Sequence, residues 1–273
     1  MKIHHLRNAT FVIESGTKHI LIDPMLCEKG TLPPFARFRH KSRKNPLVSL
    51  PENAPEILRK VTHCLITHSQ KFGVKALQHT DHLDAEGEAF LQKNNIPVIT
   101  REQDVSYLKK HGLTVEVGLT YWQSVNFLGG AITAVPALHG HSWIHNLMAN
   151  GAGFYLQLPD EPTIYISGDT VYTNDVERAL TEYMPDIAVM ASGSASLDIS
   201  DPILMPLEEL VTFVQTAPKI VIANHLEALN HCPTSRLQLK QTLEKKNLLS
   251  NVFIPDDGET LIFDKDNVAR IVA

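Results

Sequence analysis

The sequence predicts an α+β protein in which two mixed β-sheets face each other and helices cover their outer surfaces. The chain has 273 residues, 43% of them hydrophobic, which is enough for a large core. Each half has a strand-rich stretch followed by alternating strand and helix patterns. No low-complexity segment or linker separates the halves, so we expect one domain over residues 1–273.

The N-terminal part begins with a predicted hairpin and continues into a long loop. Residues 10–14 and 19–22 have strand patterns and are joined by a Ser-Gly turn. Residues 27–60 then lose periodicity and contain several prolines. Loops of this length are often functional, so we expect this segment, called the basic loop below, to lie near the active site.

The rest of the chain alternates between strand and helix patterns. Strands are predicted at residues 64–67, 97–100, 114–117, 124–128, 131–137, 153–158, 163–167, 186–191, 219–224, 251–255 and 259–263. Helices are predicted within residues 83–95, 102–112, 175–184, 205–217 and 235–247. Gly112 is expected to end the second of these helices.

Composition narrows the function classes. The 25 Lys and Arg residues against 30 Asp and Glu give a net charge of -5, so nothing global favours a nucleic-acid partner. The three cysteines are widely spaced and form no CxxC pair, which argues against a disulfide framework and favours a reducing, cytoplasmic location. No window approaches the ~18 apolar residues that a membrane span requires.

Polar side chains that can bind metals recur directly after predicted strands. The positions that follow strands in this way are His68, His139, Asp169 and His225. The segment HTDH, with His79, Asp81 and His82, lies in the loop that follows the strand at 64–67. Because strand ends on one edge of a sheet bring distant residues to a common rim, we expect these side chains to form one site.

Imidazole nitrogens and carboxylate oxygens together suit zinc, manganese or iron. The set is larger than one tetrahedral ion needs, so two divalent ions are expected, with zinc favoured. In a two-metal hydrolase a bridging carboxylate holds the ions close, and the hydroxide between them attacks the substrate. Asp169, in the turn SGDT, is the candidate bridge, and Asp81 is the candidate to orient the hydroxide and accept a proton.

Four ordered motifs resemble the ligand series of the metallo-β-lactamase-fold hydrolases. They are HTDHLD, the His-Gly pair at 139–140, ISGDT and the strand-terminal His225. The hairpin ending in LIDPML is similar to the branch containing ascorbate-6-phosphate lactonase and N-acylphosphatidylethanolamine phospholipase D, and the resemblance covers roughly residues 1–265. It implies a four-layer αββα sandwich with the site at one edge of the two sheets.

The resemblance also implies a role for each matching residue. His79 and His139 would bind the first metal ion, while Asp81, His82 and His225 would bind the second, with Asp169 between them. The family usually has His-x-His-x-Asp-His, but Leu77 stands two positions before His79. Our preferred interpretation is an insertion, QKFGVKALQ, that leaves His68 in the site; the alternative is a weakened first site and one tightly bound ion.

Further residues could contact a ligand or the substrate. The candidates are His141, His145, His231, Arg37 and Arg39. Solvated loop positions explain the histidines about as well, although His231 would replace the last ligand if His225 has another role. Residues 29–44 contain six Lys or Arg and no Asp or Glu, which would favour a phosphate or carboxylate on the substrate. A solvated loop or a contact to another subunit explains that charge equally well.

The sequence therefore predicts a metal-dependent hydrolase that uses a metal-bound hydroxide to cleave an ester, lactone or phosphodiester in a small, anionic substrate. The alternative is a non-hydrolytic metal-binding module or an iron oxidoreductase on the same scaffold. The sequence is compatible with a monomer or an oligomer.

Overall fold

The computed structural model describes residues 1–70, 72–75, 78–263 and 269–272, with only the backbone for the last segment. The strands are β1 (Lys2–Arg7), β2 (Thr10–Ser15), β3 (Lys18–Ile22), β4 (His63–Ile66), β5 (Val98–Arg101), β6 (Val115–Leu119), β7 (Ser124–Phe127), β8 (Gly130–Ala137), β9 (Gly151–Gln157), β10 (Ile164–Ile166), β11 (Ile187–Ala191), β12 (Ile220–Asn224), β13 (Val252–Phe253), β14 (Thr260–Phe263) and β15 (Ala269–Val272). The α-helices are α1 (Ala54–Leu58), α2 (Ala85–Lys93), α3 (Glu102–Lys110), α4 (Asn174–Thr181), α5 (Leu207–Thr216) and α6 (Arg236–Lys245).

These strands form two mixed sheets. The first has the order β15-β14-β1-β2-β3-β4-β5-β6 and the second has the order β13-β12-β11-β10-β9-β8-β7. Apolar side chains from both sheets, such as Phe11 and Leu65 from the first and Phe154 and Val189 from the second, fill the space between them. The predicted αββα sandwich is therefore confirmed.

Helices cover the outer face of each sheet. Leu91 of α2 and Leu108 of α3 pack in the apolar cluster on the first sheet. Leu180 of α4, Phe213 of α5 and Leu239 of α6 pack in the cluster on the second sheet. Burial of apolar surface on both faces of each sheet is the main stabilising contribution to such a four-layer arrangement. Among the described helices, none is long and apolar enough to cross a lipid bilayer.

The sheet order places the carboxyl ends of several strands at one edge of the sandwich. Strands β3, β4 and β5 run parallel in the first sheet. In the second sheet β10, β11 and β12 run parallel, and β8 shares their direction because both it and β10 pair antiparallel with β9. The loops that follow β4, β8, β10 and β12 therefore meet at this edge, as the pattern of strand-terminal ligands predicts.

Candidate metal centre

The loops at this edge bring together all seven side chains predicted as metal ligands. They fall into two groups, and within each group the ligand atoms lie within 4.8 Å of one another. The first group is His68, His79 and His139, and the second is Asp81, His82, Asp169 and His225. All are buried except His79, which is partly exposed.

His68 lies in the first group although eleven positions separate it from His79. The His68 Nε2 is 3.1 Å from the His79 Nδ1, and the rings of His68 and His139 have centroids 5.1 Å apart. The next residue, Ser69, donates both its backbone N–H and its hydroxyl to the Asp104 carboxylate, at 2.7 and 2.9 Å, which anchors this loop to α3. Leu77, at the position where the family has a histidine, lies outside the described residues, as do residues 71 and 76.

Asp169 stands between the two groups. Its Oδ2 is 3.1 Å from the His82 Nε2 and 3.5 Å from the His225 Nε2, both in the second group. The same oxygen is 3.6 Å from the His139 Nε2 of the first group. One carboxylate therefore reaches ligands of both groups, as a bridging ligand must.

Three buried polar atoms that form no hydrogen bond converge here. They are the Asp169 Oδ1, the His82 Nε2 and the His225 Nε2; the two nitrogens lie close to the Asp169 Oδ2 but without the geometry of a hydrogen bond to the described residues. An unsatisfied buried polar atom costs about 1–3 kcal/mol, so natural proteins rarely retain several together without a ligand. Nitrogen and carboxylate donors around one space are also the donor set that zinc, manganese and iron bind, so these residues fit divalent metal ions.

Four of the histidines are oriented through the Nδ1 atom, which leaves Nε2 facing the centre. Such contacts fix the ring and the tautomer of a metal ligand. The partners of Nδ1 are the Thr67 hydroxyl for His68 at 3.0 Å, the Asp23 carboxylate for His82 at 2.9 Å, the Ile203 carbonyl for His139 at 2.9 Å and the Cys232 sulfur for His225 at 3.5 Å.

Electrostatics differ between the two groups. Burial lowers the pKa of His68 and His139 and lowers that of His79 to about 3, which keeps these rings neutral, as metal ligands must be. Neighbouring histidines reinforce this effect at His68 and His79, whereas the Asp169 carboxylate opposes it at His139. In the second group burial opposes charge, but the Asp169 carboxylate raises the pKa of His82 and His225. Those two histidines in turn hold the pKa of Asp169 well below its usual range, again against the effect of burial.

Sequence reasoning missed Asp23, which orients His82. Asp23 directly follows β3, is buried, and accepts hydrogen bonds from both the backbone N–H and the hydroxyl of Thr67, each at 2.8 Å. Its φ of +45° is unusual for a residue with a side chain, and such strain is concentrated at functional sites. The rule that located His68, a polar residue after a predicted strand, would have found it.

Asn8 was also missed, and it ties the N-terminal hairpin to the centre. Its side-chain amide donates to the Asp81 carbonyl at 3.2 Å, and its carbonyl accepts from the His225 backbone N–H at 2.9 Å. His225 has a φ of +59°, so this contact helps to hold a strained ligand residue. No sequence signal points to Asn8, because its contacts arise only when remote segments pack together.

The structure also distinguishes the roles of the two aspartates around His82. Asp84 is the N-cap of α2 and accepts a hydrogen bond from the Gly87 N–H at 2.7 Å. Asp81 does not cap that helix, and its carboxylate lies in the second group instead.

A cavity of about 470 Å³ opens onto the centre. His79, Asp81, His139 and His231 lie on its polar side. Its apolar wall is formed by Leu32, Pro33, Pro34, Phe35, Met148, Leu197 and Ile203. The basic loop therefore does reach the site, but with its apolar residues.

The other candidate contacts lie elsewhere. The Arg39 guanidinium donates to the Ser200 carbonyl at 2.5 Å, and the Arg37 backbone N–H donates to the Asp198 carboxylate at 2.8 Å. The His141 Nε2 is 2.6 Å from the Glu209 carboxylate, and His145 lies in a short 3₁₀ helix with a buried, unpaired Nδ1. Of the five candidate contacts, the structure places only His231 in the described cavity lining.

Comparisons with known proteins agree with this geometry. Residues 18–225 match the family described as a beta-lactamase superfamily domain. The chain is 34% identical to the UPF0173 protein YddR of Bacillus subtilis (strain 168) over 267 residues, which cover 96% of this chain and 100% of that protein. It is 30% identical over 197 residues to a UPF0173 metal-dependent hydrolase of Roseobacter denitrificans, covering 71% of this chain and 73% of the relative.

Two solved structures are similar along nearly the whole chain. One is a possible metal-dependent hydrolase from Veillonella parvula DSM 2008, with a TM-score of 0.84, 29% identity and coverage of 95% of this chain and 98% of that one. The other is an isothiocyanate hydrolase from Delia radicum gut bacteria, with a TM-score of 0.84, 29% identity and coverage of 96% and 99%.

Proposed function

We propose a specific reaction for this chain, which belongs to the beta-lactamase superfamily and is a metal-dependent hydrolase. The proposed reaction is the hydrolysis of a small ester or lactone at a centre of two divalent ions, most simply zinc. The observation that carries it is the convergence of seven ligand side chains around an Asp169 carboxylate that reaches both groups. The similarity to the lactonase and phospholipase D branch stays a prediction.

Each protein group has a role in this proposal. His68, His79 and His139 would hold one ion, and the Asp81, His82 and His225 side chains would hold the other. Asp169 would join them. When bound, such ions polarise the scissile bond and supply an activated water molecule. The Asp81 carboxylate lines the cavity, where it can orient that water and accept its proton.

The cavity wall supports an uncharged, apolar substrate. Proline, leucine, isoleucine, methionine and phenylalanine residues line the cavity, and no Lys or Arg is found in the described lining. Apolar walls with a few convergent polar groups are typical of sites for small organic molecules. The predicted anionic substrate depended on the six Lys and Arg residues at 29–44, and none of them is in the described lining of this cavity.

A second candidate reaction is the hydrolysis of an isothiocyanate. The similar structure from Delia radicum gut bacteria is an isothiocyanate hydrolase. The apolar wall of the cavity favours this class over a phosphodiester, because the carbon of an isothiocyanate is an uncharged electrophile attached to an organic group. The two candidates therefore differ in the leaving group and share the same binding surface.

The remaining predictions concern the alternative functions, the cellular location, the number of domains and the oligomeric state. The relatives named as metal-dependent hydrolases support hydrolysis over the alternatives, a non-hydrolytic metal-binding module and an iron oxidoreductase. The three cysteines are unpaired and buried, which supports the proposal of a reducing, cytoplasmic location. One domain over residues 1–273 also remains our proposal, and monomer and oligomer both stay open.

The experiment tests whether the metal-loaded protein hydrolyses four probes. They are an ester (p-nitrophenyl butyrate), a medium-chain lactone, a phosphodiester (bis(p-nitrophenyl) phosphate) and an isothiocyanate (benzyl isothiocyanate). We expect turnover of the ester and lactone, or of the isothiocyanate, to exceed that of the phosphodiester. Asp169→Asn should abolish turnover together with bound metal, whereas Asp186→Asn, which changes a surface pair with Lys219, should not. A loaded protein that hydrolyses none of these probes would contradict the proposal.

A further inference from the structure

We propose that His231 is an additional catalytic residue: its Nε2–H donates a hydrogen bond to the substrate atom that gains negative charge as water adds to the electrophilic carbon. This inference rests on the proposed function. His231 lies in the loop after β12, six residues beyond His225, and lines the cavity beside His79, Asp81 and His139.

His231 is not placed as a metal ligand. It belongs to neither group of converging ligand atoms. It faces the same cavity as the ligands, yet its side chain is nearly fully buried, with 4% of the residue exposed. A buried histidine that faces the cavity but stays outside the ligand groups is positioned to contact the substrate.

The ring of His231 has one partnered edge and one free edge. Its Nδ1 is 4.0 Å from the Cys232 sulfur. No hydrogen bond or ion pair occupies its Nε2 among the described residues. The Phe35 ring packs edge-on against it, with centroids 5.2 Å apart, so the apolar wall of the cavity holds the imidazole in place.

The neighbouring sulfur sets the tautomer. If the His225 Nε2 binds metal, the Nδ1 of that ring carries the proton and donates it to the Cys232 sulfur, 3.5 Å away. While Cys232 keeps its thiol proton, that proton points to the second acceptor near the sulfur, the His231 Nδ1; if the proton moves to this nitrogen instead, the imidazolium still carries a proton on Nε2. A neutral imidazole that accepts at Nδ1 carries its proton on Nε2, the atom that has no partner.

Backbone contacts fix the position of this residue. The His231 carbonyl accepts a hydrogen bond from the Ser196 N–H at 3.1 Å. The preceding residue, Asn230, donates its backbone N–H to the Asn45 side chain at 2.9 Å and its side-chain amide to the Ala36 carbonyl at 2.6 Å. A donor held in this way needs no reorganisation when charge develops, which is the condition under which such donors accelerate acyl transfer and related hydrolyses.

The test compares His231→Phe, which keeps a ring against Phe35 but removes the donor, with His231→Gln, which retains an N–H donor at a similar reach. His111→Phe, at the end of α3, is the control. We expect His231→Phe to lower kcat for p-nitrophenyl butyrate roughly 100-fold, the usual effect of losing one such donor, with a much smaller change in KM. His231→Gln should recover part of this loss.

Two further readouts separate a donor from a structural role. Metal content by plasma mass spectrometry should stay at the wild-type value in all three variants. Calorimetric binding of n-butylphosphonate, a tetrahedral mimic of the reacting group, should weaken about 10-fold or more in His231→Phe, because a charge-assisted hydrogen bond is lost.

Three outcomes would overturn the proposal: kcat of His231→Phe near the wild-type value, a rise in KM alone, or the loss of one metal ion from that variant. If wild type fails to hydrolyse the ester but its phosphonate binding still depends on His231, the donor role is supported and the proposed reaction is wrong. If neither kcat nor phosphonate affinity depends on His231, the donor role is wrong whichever substrate the enzyme uses.

Discussion

The position of His68 decides how complete the first metal site is. His68 is buried and in contact with His79, although the chain between them departs from the spacing that is usual in the family. The anchor at Ser69 and Asp104 holds the end of β4 in place independently of that insertion. An insertion in a loop is tolerated when both of its ends are fixed by such contacts.

We predict that His68→Ala reduces the metal content from about two ions per chain towards one, because the first group would retain only two nitrogen ligands. Plasma mass spectrometry on protein purified without added metal measures this. His63→Ala, on the same strand but outside the centre, is the control and should retain the wild-type content. Equal metal content in the His68 variant and the wild type would show that His68 is not a ligand.

Glu14, far from the metal centre, provides a pH-dependent contribution to stability. Partial burial opposes its charge, but hydrogen bonds from Lys2 at 2.6 Å and His4 at 3.0 Å lower its pKa to about 2. A carboxyl group whose pKa is lowered by folding stabilises the protein above its ordinary value of 4.5, and this contribution is lost as pH falls from there towards 2.

We therefore expect Glu14→Gln to lower the free energy of unfolding at neutral pH by under about 1 kcal/mol, because the pair is partly exposed to solvent. The difference from wild type should shrink as the pH falls from about 5 towards 2. Urea denaturation of metal-free protein at a series of pH values measures it without interference from metal release. A difference that does not vary with pH would contradict the assigned interaction.

Among the secondary-structure elements, those with regular apolar spacing were predictable, whereas β1, β15 and the short helix α1, which lies within the segment expected to lack periodicity, were not. The helix and strand patterns that predicted α2 to α6 and β2 to β14 depend on local periodicity, which packing against the sheets preserves. Strand β1, with His4, His5 and Arg7, has no such pattern. Its polar groups are compensated by remote partners: Arg7 donates to the carbonyls of Val48, Met25 and Cys27, and no local rule can foresee those contacts.

The same limit applies to the basic loop. Its composition drew attention to positive charge, whereas its apolar residues form the cavity wall. The loop is held by Asn230, which accepts a hydrogen bond from the Phe35 N–H at 2.9 Å and exchanges hydrogen bonds with Asn45. Phe35 and Asn230 are 195 positions apart along the chain, and Asn45 and Asn230 are 185 positions apart.

We predict that Asn230→Ala loosens this wall and raises KM for p-nitrophenyl butyrate, with little change in metal content, because several buried partners lose their hydrogen bonds. Hydrogen exchange within residues 35–45 should become faster in the variant. Asn94→Ala, which removes an exposed cap contact to Phe90, is the matched control. Unchanged exchange in the loop would mean that Asn230 does not hold it.

For the whole molecule, the metal centre is a link between the two sheets. His68, His79, Asp81 and His82 follow β4 of the first sheet. His139, Asp169 and His225 follow β8, β10 and β12 of the second sheet. Without a cation, the Asp169 Oδ1, the His82 Nε2 and the His225 Nε2 remain buried without a hydrogen bond to the described residues. Binding of metal to the folded state alone must therefore raise the free energy of unfolding.

We expect removal of metal by a chelator to lower the unfolding temperature. A ligand present at about 100 times its Kd stabilises the folded state by ~2.7 kcal/mol, which for a chain of this size corresponds to roughly 5–10 °C. Scanning calorimetry with and without chelator measures the shift, and metal analysis of the same samples confirms removal. Asp169→Asn, which should already lack the bridging ligand, is expected to show a much smaller shift. If the wild-type protein loses its metal without any change in unfolding temperature, the two sheets are held together without the centre, and its role is restricted to catalysis.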